Sequence, residues 1–255
     1  MRVIPIPCLS DNYAYLLIDE TTGEGAVVDA SEEEPVREAI EREKVRIVAI
    51  LSTHHHFDHV GGNEALAAAF KVPVYGGEKD KGQLAGMTNP LAHGDTVKVG
   101  YGKAKVLHIP GHTLGHIAYA FDGHVFTGDT LFFGGCGRLF EGTPAMMIES
   151  IEEKLGALPD DTRVYCGHEY TTGNLAFARS IEPGNSLLQK TIAEVEAKRA
   201  GGKPSIPSTL GLEKAVNPFF RASSPEIQAK VREKYPDAKD RVAIFARVRE
   251  MKDSF

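Results

Sequence analysis

The stretch THHHFDH, residues 53–59, places four imidazoles and one carboxylate within seven residues. A folded core rarely buries so many polar side chains without partners, because each unsatisfied group costs free energy. A bound metal ion would take up their lone pairs. The stretch follows RIVAILS, residues 46–52, a continuous apolar run of strand length. We therefore predict a metal-binding loop at the end of a buried strand, where α/β sheets usually place ligand sites.

The spacing within the loop separates ligands from a bystander. Alternate residues of an extended segment point the same way, so His54 and His56 can reach one ion. Asp58 and His59, at the turn into the next helix, reach beyond that ion. His55 is predicted to face away.

Three further donors follow strand-like runs. His112 follows the run that ends at Ile109, Asp129 follows the run that ends at Thr127, and His168 follows TRVYC. The chain thus offers seven donors, too many for one four-coordinate ion but suited to two ions with Asp129 between them. A single structural zinc would bind four of the seven donors and leave the other three donors unexplained.

The remaining histidines call for no metal. A lone histidine is more often an ordinary surface or core residue than a ligand, and we interpret His93, His108 and His124 in this way. We expect His116 to support a neighbouring ligand by hydrogen bonding.

Composition limits the class of protein. The 255 residues are 42% hydrophobic and 25% charged, which indicates a globular chain and excludes disorder. A net charge of −6 predicts no nucleic-acid partner. The chain has no apolar run of membrane-spanning or signal-peptide length, and its three cysteines fit reduced thiols. We therefore expect a cytoplasmic protein without a membrane partner, and we make no prediction of its oligomeric state.

Before residue 168, strand patterns alternate with helical ones. KAKVLHI (103–109) alternates in hydropathy, and HIAYAFDGHVFTG (116–128) predicts a hairpin that turns at Asp122-Gly123. NEALAAAF (63–70) predicts a helix, as does TPAMMIESIEEKLGAL (143–158), in which Thr143 is the expected N-cap. The fold class is therefore α/β or α+β.

Beyond Tyr170 the pattern predicts no strand. Three segments have helical periodicity: NSLLQKTIAEVEAKRA (185–200), SPEIQAKVREKY (224–235) and DAKDRVAIFARVREMKDSF (237–255). We predict a catalytic domain over residues 1–168 and a small all-helical domain over residues 169–255.

These residues resemble a known family. The T-H-x-H-x-D-H pattern, GHTLGH (111–116) and the Gly128-Asp129 pair resemble the metallo-β-lactamase superfamily. More specific segments are similar to glyoxalase II, the hydroxyacylglutathione hydrolases: DNYAYLL (11–17), GDTLFFGGCGRLFEGT (128–143), CGHEYT (166–171), NPFFR (217–221) and REMKDSF (249–255). The resemblance implies a four-layered αββα sandwich followed by a small all-α C-terminal domain.

The resemblance also implies roles for individual residues. It assigns the first metal to His54, His56 and His112, and the second to Asp58, His59 and His168, with Asp129 bridging; Asp58 and Asp129 are the candidate catalytic residues. Two divalent ions per chain are implied, with zinc favoured and iron or manganese as alternatives. The implied glutathione contacts are Arg138, Tyr170, Arg249 and Lys252. Phe140 stands where the family often has Tyr, so it can be only an apolar wall.

The implied activity is hydrolysis of a glutathione thioester such as S-D-lactoylglutathione, in which a hydroxide between the two ions attacks the thioester carbonyl. Cys136 and Cys166 invite a covalent mechanism, but neither belongs to a recognisable Cys-His arrangement. A persulfide dioxygenase of the same superfamily would use a single iron, which the full ligand set disfavours. The absence of a signal peptide disfavours a β-lactamase, the acidic balance disfavours an RNA-processing nuclease, and the intact ligands disfavour a non-catalytic binding module.

Overall fold

The computed structural model describes all 255 residues of the chain. They form two compact units, Met1–His108 with Thr113–Gly128, and Ile109–His112 with Asp129–Phe255. These units do not divide the chain at residue 168, so the predicted domain boundary there stays a prediction.

The first unit contains a six-stranded sheet whose strands lie in chain order. The strands are β1 (Arg2–Cys8), β2 (Asn12–Asp19), β3 (Glu24–Val28), β4 (Arg46–Leu51), β5 (Val74–Gly77) and β6 (Asn89–Leu91). The first three strands pair antiparallel, and the later pairs are parallel. Parallel neighbours need a crossover connection. Helix α1 (Glu33–Glu43) supplies it between β3 and β4.

Two helical stretches follow β4 and frame the histidine loop. Helix α2 is the single turn Phe57–Val60, and helix α3 is Asn63–Phe70. Residues of α1 and α3, among them Val36, Ile40 and Leu66, pack with the first sheet in one hydrophobic core. The loop is therefore held between a buried strand and a packed helix.

The rest of the first unit is an antiparallel ladder. Its strands are β7 (Thr96–Val99), β8 (Gly102–His108), β9 (Ile117–Phe121) and β10 (His124–Gly128), each paired with the next. The hairpin predicted at Asp122-Gly123 is confirmed, with Gly123 at φ +70° as its turn requires. The predicted strands 46–52, 103–109 and 116–128 are likewise confirmed.

The second unit is mainly helical and carries two short strand pairs. Strands β11 (Leu131–Phe132) and β12 (Gly135–Cys136) form one pair, and β13 (Arg163–Cys166) and β14 (Ser208–Thr209) form the other. Strand β14 corrects the prediction of no strand beyond Tyr170. Two residues are too short to show a hydropathy pattern.

The helices of this unit are α4 (Pro144–Ile148), α5 (Thr171–Ile181), α6 (Ser186–Ala200), α7 (Leu210–Val216), α8 (Pro225–Lys234) and α9 (Arg241–Asp253), with a π-helical segment at Glu149–Leu155 directly after α4. Thr143 caps α4 by accepting a hydrogen bond from the Met146 N–H, as predicted. The three helices predicted beyond Tyr170 correspond to α6, α8 and α9. The pattern missed α5 and α7.

Helices α5, α6 and α7 pack in a second apolar core around Leu175, Leu188 and Val216. Helix α9 buries Ile244, Phe245 and Val248. No helix is long and apolar enough to cross a membrane.

Candidate metal centre

The histidine loop of the first unit begins where β4 ends. His54 and His59 are fully buried, and His56, which forms the N-cap of α2, is partly buried. His54 Nε2 lies 3.1 Å from His56 Nδ1. Two nitrogens bound to one tetrahedral zinc would lie about 3.3 Å apart, given Zn–N distances of about 2.0–2.1 Å. The predicted pairing of His54 with His56 therefore fits one ion.

Asp29 organises this loop, although it was not among the predicted site residues. Its Oδ1 accepts the Thr53 N–H at 2.8 Å, and its Oδ2 accepts the Thr53 hydroxyl at 2.8 Å and the His59 Nδ1–H at 3.1 Å. Asp29 follows β3 directly, and Val28 of that strand pairs with Leu51 of β4. The parallel register thus brings Asp29 to the start of the loop.

The contacts of Asp29 set the protonation of two rings. A carboxylate only accepts hydrogen bonds, so His59 carries its proton on Nδ1. The Thr53 hydroxyl donates to Asp29 and therefore accepts from His54 Nδ1, 3.0 Å away. Neutral His54 and His59 then both carry their lone pair on Nε2, which is the tautomer that binds a metal.

Asp58 is oriented from a distant strand. The Asn12 side-chain amide donates to both the carbonyl oxygen and Oδ2 of Asp58, each at 3.0 Å. Asp58 Oδ2 lies 3.7 Å from His59 Nε2. The segment DNYAYLL predicted no role for Asn12, and these contacts identify it as the residue that holds the Asp58 carboxylate beside His59.

His55 and His116 occupy different surroundings from the predicted ligands. His55 Nδ1 pairs with Asp80 Oδ1 at 3.0 Å. The His116 ring stacks on the His54 ring, with centroids 4.6 Å apart and planes inclined by 14°. The His55 contact fits the prediction that His55 is a bystander, and the stacking places His116 against a predicted ligand, while its support by hydrogen bonding stays a prediction.

The other three histidines make local contacts. His93 Nδ1 accepts the His108 N–H, His108 Nε2 donates to the Leu114 carbonyl, and His124 Nδ1 donates to the Asp122 carbonyl. These bonds suit histidines of ordinary structural character.

The second unit supplies three donors. Asp129 follows β10, and its Oδ2 lies 3.5 Å from His112 Nε2 and 3.3 Å from His168 Nε2. His112 Nδ1 donates to the Arg138 carbonyl at 2.8 Å, so the neutral ring carries its lone pair on Nε2, on the side of Asp129. All three side chains are buried.

The donor chemistry of each unit suits divalent metal ions. The first unit offers His54, His56, Asp58 and His59, and the second offers His112, Asp129 and His168, in a mixture of imidazole nitrogens and carboxylate oxygens. Zinc, iron and manganese all accept such ligands. The chain therefore contains a histidine–aspartate set able to hold divalent metals.

The predicted substrate contacts lie in the second unit. The Tyr170 ring stacks on the His168 ring at 4.6 Å with an interplanar angle of 4°, and the Phe140 ring lies 5.2 Å from the His112 ring. Both aromatic side chains are exposed. They border two of the predicted ligands.

The predicted cationic contacts cluster around Asp253. Its Oδ1 lies 3.3 Å from Arg138 Nε and 3.1 Å from Arg249 Nη2. Arg249 is buried, whereas the Arg138 side chain is exposed. Burial and the neighbouring Arg249 lower the pKa of Lys252.

The two cysteines near these residues are unsuited to nucleophilic attack. Burial raises the pKa of the Cys136 thiol to about 11 and that of Cys166 to about 12. The thiolate is the nucleophilic form. Both thiols are therefore protonated near neutral pH, which argues against the covalent mechanism.

Comparison with known proteins identifies the class. A model of the metallo-beta-lactamase superfamily matches residues 10–86 and 92–168. The solved B3 metallo-beta-lactamase BLEG-1 is 25% identical with a TM-score of 0.66, over 86% of this chain and 99% of that one. TTHA1623, solved in a di-iron-bound form, is 26% identical with a TM-score of 0.60, over 86% of this chain and 100% of that one. The fold and the donor set define a protein of the metallo-β-lactamase superfamily, which confirms the predicted fold class.

More similar relatives narrow the class. A hydroxyacylglutathione hydrolase from Nostoc sp. is 49% identical over 263 aligned positions that cover 100% of both chains. A model described as the hydroxyacylglutathione hydrolase C-terminus matches residues 169–255. The chain belongs to the hydroxyacylglutathione hydrolase family. The predictions of an enzyme and of a hydrolase are thereby confirmed.

Proposed function

We propose that this enzyme hydrolyses S-D-lactoylglutathione and related glutathione thioesters to a 2-hydroxy acid and glutathione, the second step of methylglyoxal detoxification. Family membership over the full length of the chain carries this proposal. The intact set of histidine and aspartate donors supports it.

The proposed centre holds two divalent ions. His54, His56 and His112 would bind the first, Asp58, His59 and His168 the second, and Asp129 would bridge them. Zinc is the proposed metal, and the di-iron form of a related structure keeps iron as an alternative. When bound, such ions lower the pKa of water to about 7 and stabilise negative charge that develops on a carbonyl oxygen.

The residues around the donors have defined tasks in this proposal. Asp29 keeps His54 and His59 in the metal-binding tautomer through the contacts of Thr53 and His59. Asn12 holds the Asp58 carboxylate. The Arg138 carbonyl accepts from His112 Nδ1 and so keeps His112 in the metal-binding tautomer. A glutathione thiolate leaves well at neutral pH, so no protein acid is required for its departure.

The glutathione half of the substrate is assigned to the second unit. A glutathione thioester carries two carboxylates and one ammonium at neutral pH, which suits the cationic residues Arg138, Arg249 and Lys252. Tyr170 and Phe140 would flank the substrate as aromatic walls. Phe140 has no hydroxyl, so it can contribute only apolar contact.

We place the enzyme in the cytoplasm. Its cysteines are all free and buried, which fits a reducing compartment.

The test is a hydrolysis assay on S-D-lactoylglutathione, run beside metal analysis of the same sample. Released thiol would be followed with a chromogenic disulfide reagent. We expect turnover in the sample that contains about two metals per chain and strong loss in the Asp129→Asn variant. Oxygen uptake with one iron per chain, or no thiol release from the metal-loaded protein, would contradict the proposal.

A further inference from the structure

The hairpin formed by β11 and β12 lies between Asp129 and Arg138 in the second unit. Each of its strands has only two residues, and residues 131–137 are all buried. A hairpin of this length gains little stability from its own hydrogen bonds. Its buried backbone N–H and C=O groups need partners elsewhere, because leaving them unpaired is costly. The position of the hairpin therefore depends on the groups that surround it.

Two residues at the end of α7 hold the turn of the hairpin. The Asn217 amide donates to the carbonyl oxygens of Phe132 at 3.3 Å and Gly135 at 3.0 Å. Glu213 Oε2 accepts the Gly134 N–H at 3.0 Å, and it lies 2.9 Å from the Asn217 amide nitrogen. Both side chains are fully buried. They therefore act as a pair, one turn of helix apart, on both sides of the hairpin turn.

Two further side chains complete the contacts with the turn. The Asn174 amide of α5 donates to the Phe133 carbonyl at 3.2 Å, and the Cys166 sulfur accepts the Phe133 N–H. Both side chains are buried. The backbone of residues 132–135 is thus held by four buried side chains, which we call the socket: Cys166, Asn174, Glu213 and Asn217.

The far end of the hairpin returns to the predicted metal ligands. Gly137 follows β12, and a Cβ at this position would lie 2.1 Å from the Asp129 carbonyl oxygen and 2.8 Å from His112 Nδ1. These distances leave no room for a side chain. The next residue, Arg138, accepts the His112 Nδ1–H with its carbonyl oxygen at 2.8 Å. The backbone after the hairpin thus packs on one donor residue and orients another.

Cys166 connects the socket to the third donor of this unit. Its thiol donates to the His168 carbonyl at 3.4 Å, while its sulfur accepts from Phe133. Burial raises the pKa of this thiol to about 12, so the proton that the first bond requires is present at neutral pH. The backbone of His168 is therefore tied to the same hairpin as Asp129 and His112.

We propose that Glu213 and Asn217 are positioning residues for metal binding: through the socket they fix the hairpin, and the hairpin sets the arrangement of the donors His112, Asp129 and His168. The inference rests on the proposed function and its metal centre. Because both positioning residues are fully buried, they act on the metal only through the backbone of the hairpin. A socket with a purely structural role would instead change the stability of the second unit and leave metal affinity unaltered.

Two substitutions at Glu213 separate these possibilities. Glu213→Gln keeps an oxygen for the Gly134 N–H and the Asn217 amide. Its new NH₂ group can donate to Ser208 Oγ, the partner of the other Glu213 oxygen. Glu213→Met has a similar length but no comparable acceptor, so it leaves both of those donors unpaired.

Zinc affinity of the full chain would be measured by competition with a chromogenic chelator. Glu213→Met should weaken zinc binding by at least about tenfold, the lower end of the range for lost outer partners of metal ligands. Glu213→Gln should bind zinc within about threefold of the wild type, because the hairpin keeps its partners.

Asn174→Ala and Asn185→Ala form a matched pair for the same measurement. Both amides donate to a backbone carbonyl of the second unit, Asn174 to Phe133 at 3.2 Å and Asn185 to Ala215 at 2.9 Å. Only the first of these bonds reaches the hairpin. Asn174→Ala should weaken zinc binding by about three- to tenfold, and Asn185→Ala should leave it unchanged. Urea unfolding would give the folded fraction of every variant. If Glu213→Met does not fold, this pair decides the inference.

Three outcomes would overturn the inference and leave the proposed function intact. The first is zinc binding of wild-type strength in folded Glu213→Met and in Asn174→Ala. The second is an equal loss in Glu213→Met and Glu213→Gln, which would exclude the hydrogen bonds as the cause. The third is an equal loss in Asn174→Ala and Asn185→Ala. A wild type that neither binds divalent metal nor hydrolyses S-D-lactoylglutathione would overturn the proposed function together with the inference.

Discussion

Replacement of Asp29 by Asn tests how the histidine loop is prepared for metal. Asp29 has φ +50°, a conformation that Asn tolerates well, so the substitution changes the hydrogen bonding with little backbone strain. Three donors face its two oxygens: the N–H and hydroxyl of Thr53 and the Nδ1–H of His59. However the new amide is oriented, its NH₂ group faces at least one of these donors.

The expected effect follows from the loss of this orientation. If the amide NH₂ replaces Oδ2, His59 must turn or change tautomer, and the hydroxyl that accepts from His54 is no longer held. Loss of such an outer partner typically costs 10- to 100-fold in metal affinity, or about 1.4–2.7 kcal/mol. We expect Asp29→Asn to weaken at least one of the two proposed metals by this amount.

Affinity would be measured by competition with a chromogenic chelator, with total metal determined on the same samples. Asp19→Asn is the control. Asp19 lies in the same unit, is 8% exposed and accepts the backbone N–H groups of Thr21 and Tyr101, but it contacts no residue of the loop. If Asp29→Asn and Asp19→Asn hold metal equally well, the tautomer argument is wrong.

Three further predictions follow from other parts of the structure. His55→Ala should retain about two metals per chain, because His55 pairs with Asp80, whereas His56→Ala should lose at least one; equal loss by atomic spectroscopy would contradict the assignment. Burial raises the pKa of Glu213 from 4.5 to about 7, so the folded state binds the proton more tightly than the unfolded state does. The contribution of this group to the free energy of unfolding should therefore fall by about 3 kcal/mol as the pH rises from about 4.5 to 7. In Glu213→Gln this pH-dependent part of the free energy of unfolding should vanish, which urea unfolding at pH 5 and pH 8 would measure. If the variant and the wild type lose the same stability between the two pH values, the prediction is wrong. Phe245→Ala should lower the free energy of unfolding by about 3–5 kcal/mol, because the ring is fully buried. Phe57→Ala is the control, since its ring is 80% exposed, and it should change the free energy of unfolding by less than about 0.5 kcal/mol. Similar urea midpoints for the two variants would contradict this prediction.

The strand ends were predictable because hydropathy marks them locally. An apolar run that stops at a polar donor is visible in RIVAILS before His54 and in HVFTG before Asp129. Asp29 has the same signal, since EGAVV precedes it, but its role depends on the parallel pairing of β3 with β4. Its distance of 24 residues from Thr53 conceals that pairing from a local pattern. Asp80, the partner of His55, has no apolar run directly before it and therefore could not be predicted in this way.

The helical unit was predicted less completely, for two physical reasons. Helix α5 begins with the weak helix formers TTGN and lacks a side-chain cap, which obscures its start. Helix α7 is only seven residues long and has a glycine at its second position, which weakens its helical pattern. The contacts of Arg249 could not be predicted either. Its spacing from Lys252 placed both residues on one helix face, but burial of the guanidinium against Cys136 and Phe219 depends on residues far away in sequence.

The buried thiols can report on local unfolding of the native protein. Cys8 lies in the first unit, where burial raises its pKa to about 11, and Cys136 and Cys166 lie in the second. An alkylating reagent reacts with the thiolate of an accessible cysteine. Labelling at each position, read by mass spectrometry, would therefore measure the rate at which that unit exposes its interior. Since the chain has one buried thiol in the first unit and two in the second, the opening of each can be followed in unmodified protein without introducing a probe.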